Sequence, residues 1–185
     1  MLNGATKEEI QKLFQTLQPP DLGPGPRPGI KSETELKQCL DKAFASSNAP
    51  AEQRDLIVAL VLLWHDHLDS AHDRAQRIAN ATGSFIHGIM HRREPDYGNA
   101  AYWFRRVGKH LAFPEIATRA AKTLDARGES QRREKLTPAG EWDPYAFIDA
   151  CEAAARNPSA AEKERMRDLQ AIESTALFDW ICSNS

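Results

Sequence analysis

A chain of 185 residues with a formal net charge of −2, 41% hydrophobic and 27% charged, has the composition of one globular domain with a substantial core. The near-neutral balance gives no basic field for nucleic acid or anionic lipid, and the longest apolar run, the nine residues Leu56 to Trp64, falls well short of the about 20 that cross a bilayer. No apolar secretory signal follows the start, and Cys39, Cys151 and Cys182 are far apart and odd in number, so a reduced, cytoplasmic setting without disulfides is expected.

Residues Thr6 to Leu17 read as a short helix, with Thr6 and Glu9 in capping-box register and Ile10, Leu13, Phe14 and Leu17 at helical spacing. Five prolines and three glycines between Pro19 and Ile30 then make an extended strap, either laid over the surface or flexible, and with few apolar side chains to anchor it, high mobility is the expectation. Ser32 and Glu35 open a second helix through about Phe44. Pro50 stands near the first turn of a long third helix that reaches about Asn80, with a segment, LIVALVLLW, that is apolar on every side and requires neighbours all round. A short helix from Ser84 to His91, a turn-forming loop EPDYGN, and a helix capped by Asp96 or Asn99 and closed by Gly108 come next. Pro114 to Ala126 is helical by its apolar spacing, whereas Gly128 to Glu141 reads as a mobile charged loop. The last two helices start alike, from Asp143-Pro144 and Asn157-Pro158. No stretch alternates as a strand does. The expectation is an all-α, single-domain bundle of seven or eight helices around a long central helix, with residues 1–49 an accessory lead-in packed on a core of residues 50–185.

All six histidines, His65, His67, His72, His87, His91 and His110, fall between positions 65 and 110, a crowding that random placement would give roughly once in 200 trials. On a continuous helix His65, Asp69 and His72 share one face, and His87 and His91, four apart, share a face of the next. Two or three imidazoles plus a carboxylate are what a divalent transition metal takes, with positions left open for water or substrate. His65, His72 and His91 are therefore the expected ligands of zinc, iron or manganese. Asp69 would be a fourth ligand or orient a histidine. The spacing matches neither H-E-x-x-H nor the paired Glu-x-x-His of di-iron bundles.

Between Ser84 and His110 stand five cations, Arg92, Arg93, Arg105, Arg106 and Lys109, against Glu94 and Asp96. Adjacent arginines on a helix point about 100° apart, so each pair sends one guanidinium inward, where it must meet a carboxylate of the protein or of a ligand. The string around these residues, HRREPDYGNAAYWFRR, with WHDHLDSAH before it and WDPYAFIDACE after it, resembles an uncharacterised, mainly bacterial family with a His-Arg-Arg-Glu-x-Asp-x-x-Asn-Ala-x-Tyr-Trp-Phe-Arg core. The resemblance covers about half of the chain, implies no established activity, and includes His65, Asp69, His72, His91, Arg92, Arg93, Glu94, Asp96, Asn99, Tyr102, Trp103, Arg105 and His110; His87 lies where the pattern is not fixed.

These residues together point to a metal-assisted hydrolase or lyase acting on a small anionic molecule. Arg92 and Arg105, with Asn99 and Tyr102, would bind the anion, and Glu94 would be the general base. The rival expectations are a non-catalytic binding or interaction protein and a structural polar network without a ligand.

Overall fold

The computed structural model describes residues 2–156 and 159–184. Among them are ten α-helices and no strands: α1 (Gly4–Gln11), α2 (Glu33–Phe44), α3 (Ala51–Trp64), α4 (Leu68–Ala75), α5 (Ala81–Arg93), α6 (Tyr97–Val107), α7 (Phe113–Ala126), α8 (Ser130–Leu136), α9 (Pro144–Arg156) and α10 (Ala160–Asn184), with 3-10 turns at Lys12–Phe14 and Pro138–Gly140. The all-α expectation holds, and the helix count exceeds the seven or eight predicted. Asn157 and Pro158, expected to open the last helix, lie outside the described residues.

One additional helix comes from breaking the predicted spine and another, α8, from the segment expected as a loop. α3 stops at Trp64 and α4 starts at Leu68, because the backbone N–H of His67 turns back to the Leu62 carbonyl (3.0 Å) and that of Asp66 to the Leu63 carbonyl (3.3 Å). This is the paired closure that ends a helix when the residue after its cap is left-handed. Glycine normally takes that position; here Asp66 does, at φ 64°. Its conformational cost is offset by ion pairs. The Asp66 carboxylate is fully buried between Arg27 and Arg93, accepting from Arg93 Nη2 at 2.6 Å and from the Arg27 backbone N–H at 2.8 Å.

The same knot orders the strap. Arg27 reaches Asp66 and the Trp64 carbonyl, Leu22 is buried, and Gln170 on α10 donates to the carbonyls of Pro20 and Asp21. Of the two options left by its composition, the strap takes the laid-down one, not the mobile one expected. The charged segment expected as a mobile loop also folds: α8 buries Leu136 completely, and Arg132 joins Glu129 on its own flank to Glu162 on α10. Enough apolar and ionic anchoring is present in both segments to offset the entropy of ordering them.

Helix starts follow their local caps. Ser32 and Glu35 make the reciprocal capping box of α2, Asp143 accepts from the N–H groups of Tyr145 and Ala146, and Asp96 caps α6 by accepting from the Asn99 N–H. α1 differs, since Asn3, not Thr6, is its cap.

The most enclosed element is α5, on which every residue from Thr82 to Arg93 is buried. It lies against α3, α4 and α6. Close approach to α6 depends on Gly88: a Cβ there would sit 2.6 Å from Phe104 Cε2, and the Phe104 ring is itself held 5.2 Å from that of Phe85. Replacing Gly88 with alanine is accordingly expected to destabilise the protein by about 1–3 kcal/mol through overpacking, despite alanine's better helix propensity. Thermal unfolding checks this; an unchanged or raised Tm would contradict the close packing of α5 on α6.

Candidate metal centre

The break between α3 and α4 separates the histidines that a continuous helix would align. His65 caps α3 and is consumed by backbone. Its Nδ1 accepts from the Lys31 N–H (3.1 Å), so its other nitrogen carries the proton and donates to the Leu13 carbonyl (2.9 Å). Neither lone pair nor proton is left for a metal, and the prediction that His65 joins His72 and His91 is corrected on that ground. His110 is likewise satisfied, accepting from the Ala112 N–H and donating to Thr82 Oγ1 (3.1 Å). His67 lies beside the Lys31 carbonyl and Glu33. Asp69, the expected fourth ligand, is exposed to solvent and outside the histidine group.

Burial holds His65 and His110 neutral, pushing both down to about 4 from 6.5. Because the unfolded chain takes up these protons below about pH 6.5 while the native state refuses them until about pH 4, stability should be fully present above pH 6.5 and fall as the pH drops through that window. A urea midpoint lower at pH 5 than at pH 7, with a shallower difference in His110→Asn, is the expected result. A pH-independent midpoint over this range would contradict the neutral, buried state of the two rings.

His72, His87 and His91 do converge. One imidazole nitrogen from each lies within 4.8 Å of the others, with ring centroids 4.7 Å apart for His72 and His87, 5.8 Å for His72 and His91, and 5.7 Å for His87 and His91. α5 supplies two of them because residues four apart on a helix face one way. α4, redirected by the turn at Asp66, brings the third from its half-buried edge. A tetrahedral metal at about 2.0–2.1 Å from each nitrogen would hold them about 3.3 Å apart, so small adjustments of the side chains would complete the coordination.

The three rings differ in what else holds them. His91 Nδ1 faces Glu94 Oε2 at 3.0 Å, and its Nε2 lies 3.1 Å from the Asn99 amide nitrogen. The carboxylate fixes the tautomer: Nδ1–H donates to Glu94 and Nε2 carries the lone pair, which accepts from Asn99. His87 is 1% exposed, and among the described residues neither of its ring nitrogens has a hydrogen-bond partner. Burial, then the charges of His72, His91 and Arg106, lower it to about 4, so it stays neutral and able to ligate. The indole of Trp103 stacks on it at 3.9 Å and 11°, and the Arg106 guanidinium stands 5.3 Å from that indole.

The arginines sort differently from expectation. Arg92 was predicted to bind an anionic ligand. It is completely buried and forked onto Glu173 of α10, over the face of Phe147 at 4.4 Å, and a guanidinium so enclosed has its anion inside the protein. Arg93 goes to Asp66 and to the carbonyls of Leu63, Asp21 and Gly23. Arg105 is exposed beside the Tyr102 ring, itself 45% exposed. A cleft of about 730 Å³ between α2, α3 and α4, lined by Leu36, Leu40, Phe44, Arg54 and Arg77, contains none of the three histidines; its α4 residues Ser70 and Arg74 lie on the helix face opposite His72.

Sequence reasoning placed His87 beside the site without ranking it among the ligands, and it gave Trp103 and Arg106 no role there. The signal for His87 was the four-residue spacing to His91. Compared with family models, curated proteins and solved structures, the chain matches none.

Proposed function

We propose that the chain holds a divalent transition metal on His72, His87 and His91 and uses it as a metal-assisted hydrolase or lyase on a small anionic substrate. The observation that carries this reading is His87. A buried imidazole with two unpartnered nitrogens costs about 1–3 kcal/mol in a protein without a ligand for it, and here that imidazole faces two others at near-ligand distance. Three imidazoles without a carboxylate suit zinc or iron better than manganese. They also leave at least one position open, as catalytic centres do.

A metal in this place supplies Lewis-acid polarisation and lowers the pKa of the water it binds to about 7. The chain's own residues do the rest. Glu94, expected as the general base, sits on His91 Nδ1 and fits the role of a carboxylate that orients a ligand and raises its basicity. The amide of Asn99 lies against His91 Nε2 and would give up that contact if the nitrogen held a metal, remaining nearby as a hydrogen-bonding group.

Metal analysis of protein purified without a polyhistidine tag, followed by zinc titration of the stripped protein, tests the reading. One equivalent per chain, with Kd in the micromolar range or tighter, supports it. A wild-type protein that takes up no zinc, iron or manganese ends it and leaves the cluster a structural one.

A further inference from the structure

We infer that the anion bound at this centre is a small oxyanion held at two points, by the open metal position on one side and by the Arg106 guanidinium on the other. The inference rests on the proposed metal centre and names the residue that gives it substrate selectivity.

His72, His87 and His91 are neutral ligands, and the nearby carboxylate, Glu94, is engaged on His91 Nδ1. A divalent ion on them keeps its whole charge, and a site of that kind fills its open position with an anion in preference to a neutral group.

One cation beside the site is also free among the described residues. Arg92, Arg93 and Arg27 are spent on buried carboxylates, and the half-buried arginines of α7 and α8 are paired with acidic neighbours. Arg106 is exposed, and among the described residues it has neither a carboxylate nor a carbonyl partner; its one contact is the face of Trp103. Trp103 is the indole stacked on His87. Trp103 therefore links the two groups, with His87 stacked on its ring and the guanidinium 5.3 Å from its centroid, so that the cation stands one indole away from the centre without being neutralised. Arg105, one residue earlier, leans on the Tyr102 ring instead. A guanidinium presents parallel N–H donors that match the oxygens of a carboxylate or a phosphoryl group, which a lysine cannot do.

Cobalt(II), with its visible absorption, reports both halves of this arrangement in the full-length protein. The stripped wild type is loaded with cobalt and titrated with sodium sulfate, as a tetrahedral oxyanion, and separately with sodium acetate, as a carboxylate. Arg106→Gln and Arg106→Lys are treated in the same way. The expected result is a spectral change in the wild type with at least one of the two anions, which identifies phosphoryl-like or carboxylate selectivity. The midpoint should rise about tenfold or more in Arg106→Gln and by less in Arg106→Lys, with cobalt uptake and Tm unchanged in both because the side chain is at the surface. Equal anion midpoints in wild type and Arg106→Gln, equally tight anion binding by the stripped protein, or no response to either anion overturns the inference while the metal centre stands. Failure of the wild type to take up cobalt overturns both.

Discussion

Replacing Glu173 with alanine is expected to cost about 3–5 kcal/mol, the usual penalty for leaving a buried charge unpaired. That is a large share of the about 5–15 kcal/mol that holds a domain together. Glu173 is completely inaccessible on α10 and receives both terminal nitrogens of Arg92, Nη1 at 3.2 Å, together with the Trp142 indole N–H at 3.0 Å. Removing it strands a guanidinium that is equally buried and whose Nε already lacks a partner, with only the distant Gln170 carbonyl (3.5 Å) and the Phe147 face left to it. Tm should fall by roughly 10 °C or more, judged from about 2–4 °C per kcal/mol at this chain length. The double replacement Arg92→Met with Glu173→Leu should recover much of the loss, since no charge is then buried, but not all of it, because the Trp142 N–H stays unpaired. A Glu173→Ala protein that melts within a couple of degrees of wild type would refute the buried ion pair.

Zinc affinity should drop by more than about 100-fold in His87→Phe, given that loss of an outer-shell partner alone costs about 10–100-fold. Phenylalanine keeps a flat ring against Trp103 and removes both ring nitrogens, so the stripped variant should unfold at the same temperature as the stripped wild type or higher. This opposite movement of metal affinity and stripped-state stability distinguishes a ligand from a structural histidine. A satisfied structural histidine would lose stability on the same change and leave zinc binding untouched. Glu94→Gln should give an intermediate loss, about 10–100-fold, by removing the anionic acceptor from His91 Nδ1. Calorimetric titration of the three proteins with zinc measures each value; wild-type affinity in His87→Phe would exclude this ring from the centre.

Much of the secondary structure was legible because it is decided within one turn. The box between Ser32 and Glu35, the Asp143 cap with Pro144 after it, and Gly108 at φ 62° closing α6 are contacts among residues at most four apart. The crowding of histidines was legible too, and so was the pairing of His87 with His91, because a four-residue step on one helix brings two side chains together whatever surrounds them.

What the chain's order concealed was decided by partners far away in it. Asp66 accepts a left-handed backbone because Arg27 and Arg93, 39 and 27 residues distant, meet its carboxylate; nothing local announces that turn, since the usual glycine is absent. From it follow the separation of His65 from His72 and the turning of His72 toward His87 and His91. The inward or outward fate of each arginine was equally nonlocal. Arg92 looks like a ligand-binding residue until Glu173, 81 residues on, arrives to neutralise it, and Arg106 is free because no carboxylate among the described residues does. Helix ends and helix faces were thus set by short-range hydrogen bonding and by the 3.6-residue period, both readable along the chain. The identity of the three converging histidines was set by buried charge, whose cost in a low-dielectric interior is settled only when the whole molecule has brought its counter-charges into place.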